Sequence, residues 1–174
     1  MDKLLTLEQL LKLVKKLRSM GKKITWTNGC FDFMHAGHVD YLARAKNYGD
    51  VLIVGMNSDL SVKRYKGDLR PICHETHRAQ VLQALTCVDY IVIFEDKSPI
   101  KIIEALQPDY YIKGGDYTLE TINQDERKAV ENYGGAIIIL PEVAGISTTI
   151  IIEKIRQLLV SETPAPAAKT QFEI

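Results

Sequence analysis

Apolar positions along the chain follow two spacings, and the first to appear is helical. A repeat of about 3.6 residues links five apolar positions near the start: Leu7, Leu10, Leu11, Val14 and Leu17. Thr6 precedes this repeat, with Gln9 three residues later as in a capping box, and Gly21 is placed to end the helix. The pattern predicts an amphipathic helix before residue 22.

Short apolar runs then alternate with helical repeats. The predicted strands are 23–27, 51–57, 89–94, 109–112 and 136–140. The predicted helices are 37–48, 58–65, 74–85, 98–106, 123–134 and 147–159. This alternation indicates an α/β fold with three layers, in which a parallel five-stranded sheet carries helices on both faces.

The length of 174 residues fits one domain with a substantial core. We expect residues 1–21 to form a helix that packs on this domain, and residues 22–160 to form the domain itself. The last segment, "SETPAPAAKTQFEI", is rich in proline, alanine and polar residues, a composition typical of disorder. Residues 161–174 are therefore predicted to be a disordered tail.

The charge balance gives the chain no net field. Its 22 basic and 22 acidic residues predict neither nucleic acid nor an anionic membrane as a partner. The opening segment carries lysines throughout and has no unbroken apolar core, so it does not resemble a signal peptide. The three scattered cysteines, Cys30, Cys73 and Cys87, suit reduced thiols in a cytoplasm.

The turn "NGCFDFMHAGH" follows the first predicted strand and leads into a helix. Gly29 allows a close approach of the backbone to a ligand. Gly37 and His38 lie where the helix begins, and free N–H groups at a helix start favour an anion. His35 and His38 are three residues apart and can face the same way. Together these groups predict a phosphate site.

The turn "GISTT" repeats this arrangement after the last predicted strand. Gly145 supplies the turn, and Ser147, Thr148 and Thr149 place hydroxyl and N–H groups at another helix start. Two helix starts facing one crevice suggest a ligand with several phosphates. Cations in the middle of the chain, and the glycine-rich loop "KGGDY" (113–117), add further groups; the cations are Lys63, Arg64, Lys66, Arg70 and Arg78.

Other interpretations of these motifs stay open at this stage. Ser147 is also a typical helix N-cap, "KGGDY" an ordinary turn, and "VKRYKGDLR" a solvated charged face. Six residues of metal-binding type lack the spacing of a zinc site: Cys30, His35, His38, Cys73, His74 and His77. The chain lacks the Gly-x-Ser-x-Gly motif of serine hydrolases and the Gly-x-Gly-x-x-Gly motif of dehydrogenases, so neither class is predicted.

The motifs "GCFDFMHAGHVDYLARAKNYGD" and "GISTT" resemble those of the Rossmann-like nucleotidylyltransferase superfamily, which is marked by His-x-Gly-His. Within it, "LIVGMNSDLSVKRYKGDLRPI", "VDYIVIFEDKSP" and "PDYYIKGGDY" look like the D-glycero-D-manno-heptose 1-phosphate adenylyltransferases. The resemblance covers roughly residues 22–156. It implies a Rossmann-like fold, transfer of AMP from ATP to the sugar phosphate, and release of pyrophosphate for lipopolysaccharide or surface polysaccharide synthesis.

The resemblance also implies a role for each matching position. The catalytic residues would be His35, His38 and Lys66. The nucleotide and its phosphates would contact Asn28, Gly29, Cys30, Phe31, Gly37, Arg78, Gly145, Ser147, Thr148 and Thr149. The sugar phosphate would contact Asp32, Lys113, Gly114, Asp116 and Tyr117. Mg²⁺ would be bound mainly through substrate phosphates, with no metal ligand assigned to the protein.

The chain departs from related cytidylyltransferases at one informative position. Where they carry arginine in "PRTEGIST", this chain has Glu142 in "PEVAGIST". Adenine would then be recognised mainly by backbone groups. The alternatives are a cytidylyltransferase for a polyol or alcohol phosphate, an adenylyltransferase of the flavin type, and a nucleotide-sensing module without catalysis.

The resemblance implies partners as well as substrates. ATP and heptose 1-phosphate would be the small-molecule substrates, and the protein would form a homodimer in the cytoplasm. Because 174 residues leave no room for a kinase domain, a separate heptose kinase and a phosphatase are expected in the pathway.

Overall fold

A computed structural model describes residues 2–115 and 117–161. Its five strands are β1 (Ile24–Gly29), β2 (Val51–Asn57), β3 (Tyr90–Phe94), β4 (Tyr110–Gly114) and β5 (Ala136–Leu140). They form one sheet in the order β3-β2-β1-β4-β5, and every pair of neighbours is parallel. The predicted five-stranded parallel sheet is confirmed.

The helices alternate with these strands as predicted. They are α1 (Leu7–Ser19), α2 (Ala36–Lys46), α3 (Asp59–Lys66), α4 (Glu75–Ala84), α5 (Ile100–Leu106), α6 (Gln124–Asn132) and α7 (Thr148–Ser161). Apolar residues of α1, α5 and α6 pack on one face of the sheet, and those of α2 and α4 pack on the other. The result is the predicted Rossmann-like arrangement of three layers. Apart from Ser161, the predicted tail lies outside the described residues.

Alternate strand residues face the two layers of helices. Trp26, Ile53 and Tyr111 belong to the core beneath α1, α5 and α6, whereas Leu52 and Ile112 belong to the core beneath α2 and α4. Because both faces of the strands are covered, the strands are apolar almost throughout. This explains why their positions could be predicted from the sequence.

Two strands continue beyond their predicted ends. β1 extends through Asn28 and Gly29, which pair with Gly55 and Met56, and β4 extends through Gly114. The apolar residues end before the strand pairing does. This is because the last side chains of each strand, at the carboxyl edge of the sheet, face a cleft. Polar residues therefore lie on regular strands at this edge.

The first residues of the chain are attached to β3 and α5. The backbone at residues 3–5 pairs with Ile91, with Leu5 N donating to Ile91 O at 2.9 Å and Ile91 N to Lys3 O at 2.8 Å. The predicted capping box of Thr6 and Gln9 begins α1. Further along α1, Arg18 donates to the Leu106 carbonyl at the end of α5, at 2.9 Å. No helix within the described ranges has the length and apolar character needed to span a bilayer.

A close approach between β1 and β2 holds the centre of the sheet. Gly55 lies beside the fully buried indole of Trp26, and a Cβ at this position would overlap the ring. Only glycine leaves room for an indole between two adjacent parallel strands here. The contact between Gly55 and Trp26 therefore helps to set the packing of β1 against β2 behind the cleft.

We predict that Gly55→Ala destabilises the fold by about 1–3 kcal/mol, the usual range for overpacking a core. Urea unfolding of the original chain and the variant would measure the change. Trp26→Phe removes the ring atoms that overlap, so the double variant should regain part of the stability that Gly55→Ala loses. If the double variant lost the sum of the unfolding free energies lost by the two single variants, this explanation would be contradicted.

Candidate active site

An open cleft of about 890 Å³ crosses the carboxyl edge of the sheet. It lies where the strand order changes direction, since β2 and β4 flank β1 on opposite sides. Ligands of open α/β sheets bind at such points. The turn after β1, the end of α3, the loop after β3, the loop after β4 and the turn before α7 all contribute to its lining.

The histidine turn forms the centre of the cleft. His35 precedes α2, and the rings of His35 and His38 lie 3.9 Å apart between centroids. His35 N lies 3.4 Å from His38 Nδ1, and His35 Nδ1 has no hydrogen-bond partner among the described residues. Phe31 takes a left-handed backbone conformation with φ of 46°, which turns the chain sharply after β1.

Both imidazoles are electrically neutral near pH 7 in this structure. The pKa of His38 falls to about 4, chiefly because of burial, with smaller contributions from the neighbouring His35 and Lys66. Burial also lowers the pKa of His35, although the Glu142 carboxylate opposes this effect. Neutral imidazoles can donate one N–H each. A phosphate bound beside them would raise both pKa values, because it would favour the cationic form.

The turn before α7 packs directly on the histidine turn. Thr148 Oγ1 donates to the Phe33 carbonyl at 3.4 Å, and Ile146 lies against Gly37, where a Cβ would come within 3.3 Å. Ser147 Oγ accepts from Ile150 N at 3.2 Å and also lines the cleft. The two helix starts therefore share one cleft, and Ser147 acts as an N-cap within it.

The cations of the cleft differ in how they are paired. Lys113 Nζ contacts Glu126 at 2.9 Å, Arg70 Nε contacts Asp32 at 2.6 Å, and Arg44 Nε contacts Asp40 at 2.8 Å. Lys66 and Lys97 make no ion pair with any residue that the structure describes. Two ammonium groups thus supply uncompensated positive charge for an anionic ligand.

A buried carboxylate holds Lys113 in place. Glu126 accepts from Ser98 Oγ at 2.7 Å and from the Tyr111 hydroxyl, which also lies 3.1 Å from Asn28 Oδ1. Burial acts to raise the pKa of Glu126, but the Lys113 ammonium and these hydrogen bonds outweigh it and leave the pKa below its ordinary value. The network joins β1, β4, α6 and the loop after β3.

Most of the residues predicted for the site line the cleft. The set comprises Asn28, Gly29, Cys30, Phe31, Asp32, His35, Gly37, His38, Lys66, Lys113, Gly114, Tyr117, Ser147 and Thr148. Gly145 and Thr149 flank this lining without being part of it. Asp116 lies outside the described residues.

Arg78 differs from its predicted placement. It is 1% exposed, and its guanidinium donates to the Cys73 carbonyl at 3.0 Å, to the Cys30 carbonyl, and to Asp59 at 2.8 Å. It does not line the cleft. Because its donors are used by the backbone and by Asp59, Arg78 supports the turn after β1 from beneath rather than reaching toward a phosphate.

The cleft also contains residues that sequence reasoning did not assign to it. These are chiefly Tyr65, Lys97, Ser98, Asn123 and Glu126. Lys97 and Ser98 directly follow a predicted strand, so the rule that ligands bind past strand ends could have found them. Glu126 lies within a helix, and no sequence signal marked it.

The described residues include no group of three or more His, Cys, Asp or Glu side chains arranged to hold a metal ion. Two carboxylates of the cleft, Asp32 and Glu126, already accept several hydrogen bonds each. The described part of the donor set therefore does not fit a Mg²⁺ ion held by protein ligands alone.

We predict that the free energy of unfolding falls as the pH is lowered from about 6.5 toward 4. Burial places the pKa of His38 at about 4, whereas the unfolded chain has the ordinary value of 6.5. Between these values the unfolded state binds a proton that the folded state does not, so acid favours unfolding. Urea unfolding at several pH values would measure the slope, and His38→Gln should reduce it. An equal slope in both proteins would contradict the assignment.

Sequence comparison agrees with this geometry. A family model described as cytidylyltransferase-like matches residues 26–154. The chain is 50% identical over 154 residues to bifunctional protein HldE of Geotalea uraniireducens, and 49% identical over 153 residues to that of Geobacter metallireducens. Each match covers 88% of this chain and 31% of the relative. The chain thus spans about a third of the length of the curated relatives it matches.

Solved structures give the same fold. A lipopolysaccharide core biosynthesis protein from Thermoplasma volcanium is 27% identical with a TM-score of 0.57, covering 71% of this chain and 98% of that one. Pantoate-beta-alanine ligase from Francisella tularensis, solved with a nucleotide, is 16% identical with a TM-score of 0.59, covering 92% of this chain and 80% of that one; it shows the fold alone. The predicted superfamily and enzyme class, nucleotidyltransferase, are confirmed. The chain belongs to the cytidylyltransferase-like family.

Proposed function

We propose that this chain transfers AMP from ATP to a D-glycero-D-manno-heptose 1-phosphate, giving ADP-heptose and pyrophosphate. The observation that carries the proposal is the shared cleft, in which His35 and His38 face the same space as Ser147 and Thr148. The relatives named bifunctional protein HldE, and the lipopolysaccharide core biosynthesis protein, support the choice of a heptose phosphate.

The proposed reaction needs no protein nucleophile. An oxygen of the sugar phosphate attacks the α-phosphorus of ATP, a new P–O bond forms, and the bond to the β-phosphate oxygen breaks as pyrophosphate leaves. The attacking group is already an anion, so no base has to remove a proton. The protein must instead hold two polyanions together and stabilise charge on the phosphate oxygens.

His35 and His38 would supply that stabilisation. Their imidazoles lie at the start of α2, where the first backbone N–H groups of a helix lack partners within the helix. Because both rings are neutral before substrate binds, the ATP phosphates would draw protons onto them and gain charge-assisted hydrogen bonds. Binding would therefore be accompanied by proton uptake.

The remaining groups would divide between the two substrates. Ser147, Thr148 and the start of α7 would bind the end of the triphosphate, and Lys66 would bridge the reacting phosphates. Lys113, Gly114 and Tyr117 also line the cleft and would contact the sugar. Asp116 is kept as a predicted sugar contact on the resemblance alone.

Mg²⁺ enters the proposal as an ion that arrives with the nucleotide phosphates. Such an ion would neutralise part of the charge of those phosphates. The chain's own residues would act on the outer oxygens, through the imidazole N–H groups and the Lys66 ammonium. A cytoplasmic location, where ATP is available, and a homodimer are part of the same proposal.

Glu142 bears on the choice of nucleotide. It lines the cleft, and its Oε1 lies 3.2 Å from where a Cβ on Gly115 would be. A carboxylate in this place can accept a hydrogen bond from the exocyclic amine of adenine or cytosine. The base itself must therefore be determined by direct competition between ATP and CTP.

Pyrophosphate release would test the proposal directly. The purified chain should release pyrophosphate with ATP and one anomer of the heptose 1-phosphate, and much less with CTP. Glycerol 3-phosphate and flavin mononucleotide serve as acceptors for the two rival transferase activities. Nucleotide binding without turnover on any acceptor would instead indicate a sensing module.

We predict that His38→Ala lowers kcat by about 100-fold or more, the scale for losing a preorganised donor. The fold should remain intact, as judged by circular dichroism. His77→Ala is the matched control, because His77 is exposed on α4 and does not line the cleft. A variant at His38 with near-normal kcat would remove this imidazole from the mechanism.

A further inference from the structure

We propose that Arg70 binds the phosphate group of the acceptor, and that Asp32 is the residue that positions Arg70 for this task. The inference rests on the proposed function, because it concerns the second substrate of the same transfer. It also revises the role expected for Asp32, which the resemblance placed in contact with the sugar phosphate.

The Asp32 carboxylate is already engaged by three protein donors. It accepts from Arg70 Nε at 2.6 Å, from Ile72 N at 2.8 Å and from Cys73 N at 2.9 Å. Asp32 as a whole is only 5% exposed. Burial acts to raise the pKa of this carboxyl, but the two N–H groups and Arg70 outweigh it, so the pKa lies below its ordinary value. Asp32 is therefore an anion that ties residues 70–73 to the turn after β1.

Arg70 keeps most of its hydrogen-bonding capacity. Only Nε is bonded to a described residue, and the buried Nη2 has no partner among them. The side chain is 20% exposed and lines the cleft. A guanidinium that is fixed through Nε keeps its Nη groups in one plane and one orientation, and such groups bind phosphate through directed hydrogen bonds.

The position of Arg70 indicates which phosphate it would bind. In an in-line displacement, the attacking and leaving oxygens lie on opposite sides of the α-phosphorus. The turn before α7, which would bind the leaving pyrophosphate, contacts the turn after β1 at Phe33 and Gly37. Arg70 contacts the same turn at a different residue, Asp32, and comes after β2, which lies on the opposite side of β1 from β4 and β5. The acceptor phosphate is therefore expected at the end of the cleft that contains Arg70.

The local charges agree with an anionic ligand at this end. Lys66 is unpaired among the described residues and is close enough to His38 to affect the pKa of its imidazole. Arg70 and Asp32 cancel each other in formal charge, so the net positive charge comes from Lys66. Asp32 thus contributes orientation, which lowers the cost of ordering a flexible arginine when the ligand binds.

The test compares four variants with the original chain. They are Arg70→Gln, Arg70→Lys, Asp32→Asn, and the double variant that combines Asp32→Asn with Arg70→Gln. Arg70→Gln should raise the KM for the acceptor phosphate by about 10-fold or more, the loss of one hydrogen-bonded charge, and leave the KM for ATP within about twofold. Arg70→Lys should restore part of the loss. Asp32→Asn should shift the same constant, and the double variant should be no worse than Arg70→Gln, because both changes remove one function.

Asp109→Asn is the matched control. Asp109 also accepts a backbone N–H and a cation, from Ile24 N at 2.9 Å and Lys23 Nζ at 2.8 Å, but it lies outside the cleft. Its substitution should lower stability without changing either KM. If Arg70→Gln lowered the Tm in the same way and left the acceptor KM unchanged, Arg70 would be a structural anchor and the proposal would be overturned.

A second measurement separates this inference from the proposed function. Inorganic phosphate is titrated calorimetrically into the protein saturated with a non-hydrolysable ATP analogue. If no heptose phosphate is turned over but Arg70→Gln still weakens phosphate binding by about 10-fold, the proposed function fails and the inference stands. If phosphate does not bind, or binds equally to the variant, the inference is wrong whatever the acceptor.

Discussion

The contact between two turns, one after β1 and one before α7, is the constraint on which the cleft depends. Ile146 lies against Gly37, and Thr148 reaches the Phe33 carbonyl across 115 positions of the chain. This contact places two helix starts side by side, so that both sets of free N–H groups can face one ligand. It forms because β1 is central in the sheet and β5 lies only two strands away.

Several charges in the cleft are held in fixed ion pairs, beside the two ammonium groups that have no ion pair among the described residues. The ion pairs of Lys113 with Glu126 and of Arg70 with Asp32 hold each cation in one orientation. The histidines at the centre stay neutral, because burial disfavours their charged form. Positive charge at the centre can therefore appear when an anionic ligand arrives. This arrangement suits a chain whose overall charge is zero.

The features that the sequence predicts well are local ones. The strands could be placed because their residues are buried on both faces, and Thr6 with Gln9 identified the start of α1 because a capping box spans three residues. The histidine and serine turns were recognised for the same reason. The shared cleft was expected because parallel strands bring their carboxyl ends to one edge.

The features that escaped prediction depend on distant pairings. Arg78 was assigned to phosphate, yet its guanidinium meets the Cys30 carbonyl 48 positions away, and no periodicity reveals that partner. Asp32 meets Arg70 across 38 positions, so its carboxylate was taken as open to substrate. In each case the three-dimensional neighbour, which the sequence does not reveal, decides whether the group is available to a ligand.

The attachment of residues 3–5 to Ile91 has a consequence for the chain as a whole. β3 is the last strand on its side of the sheet, and a bare strand of this kind offers unpaired N–H and carbonyl groups to other chains. The opening residues form hydrogen bonds with some of those groups and so reduce the number available for pairing with another chain. Removing them would cost α1 one of its attachments and leave the edge of β3 open to pairing with other chains.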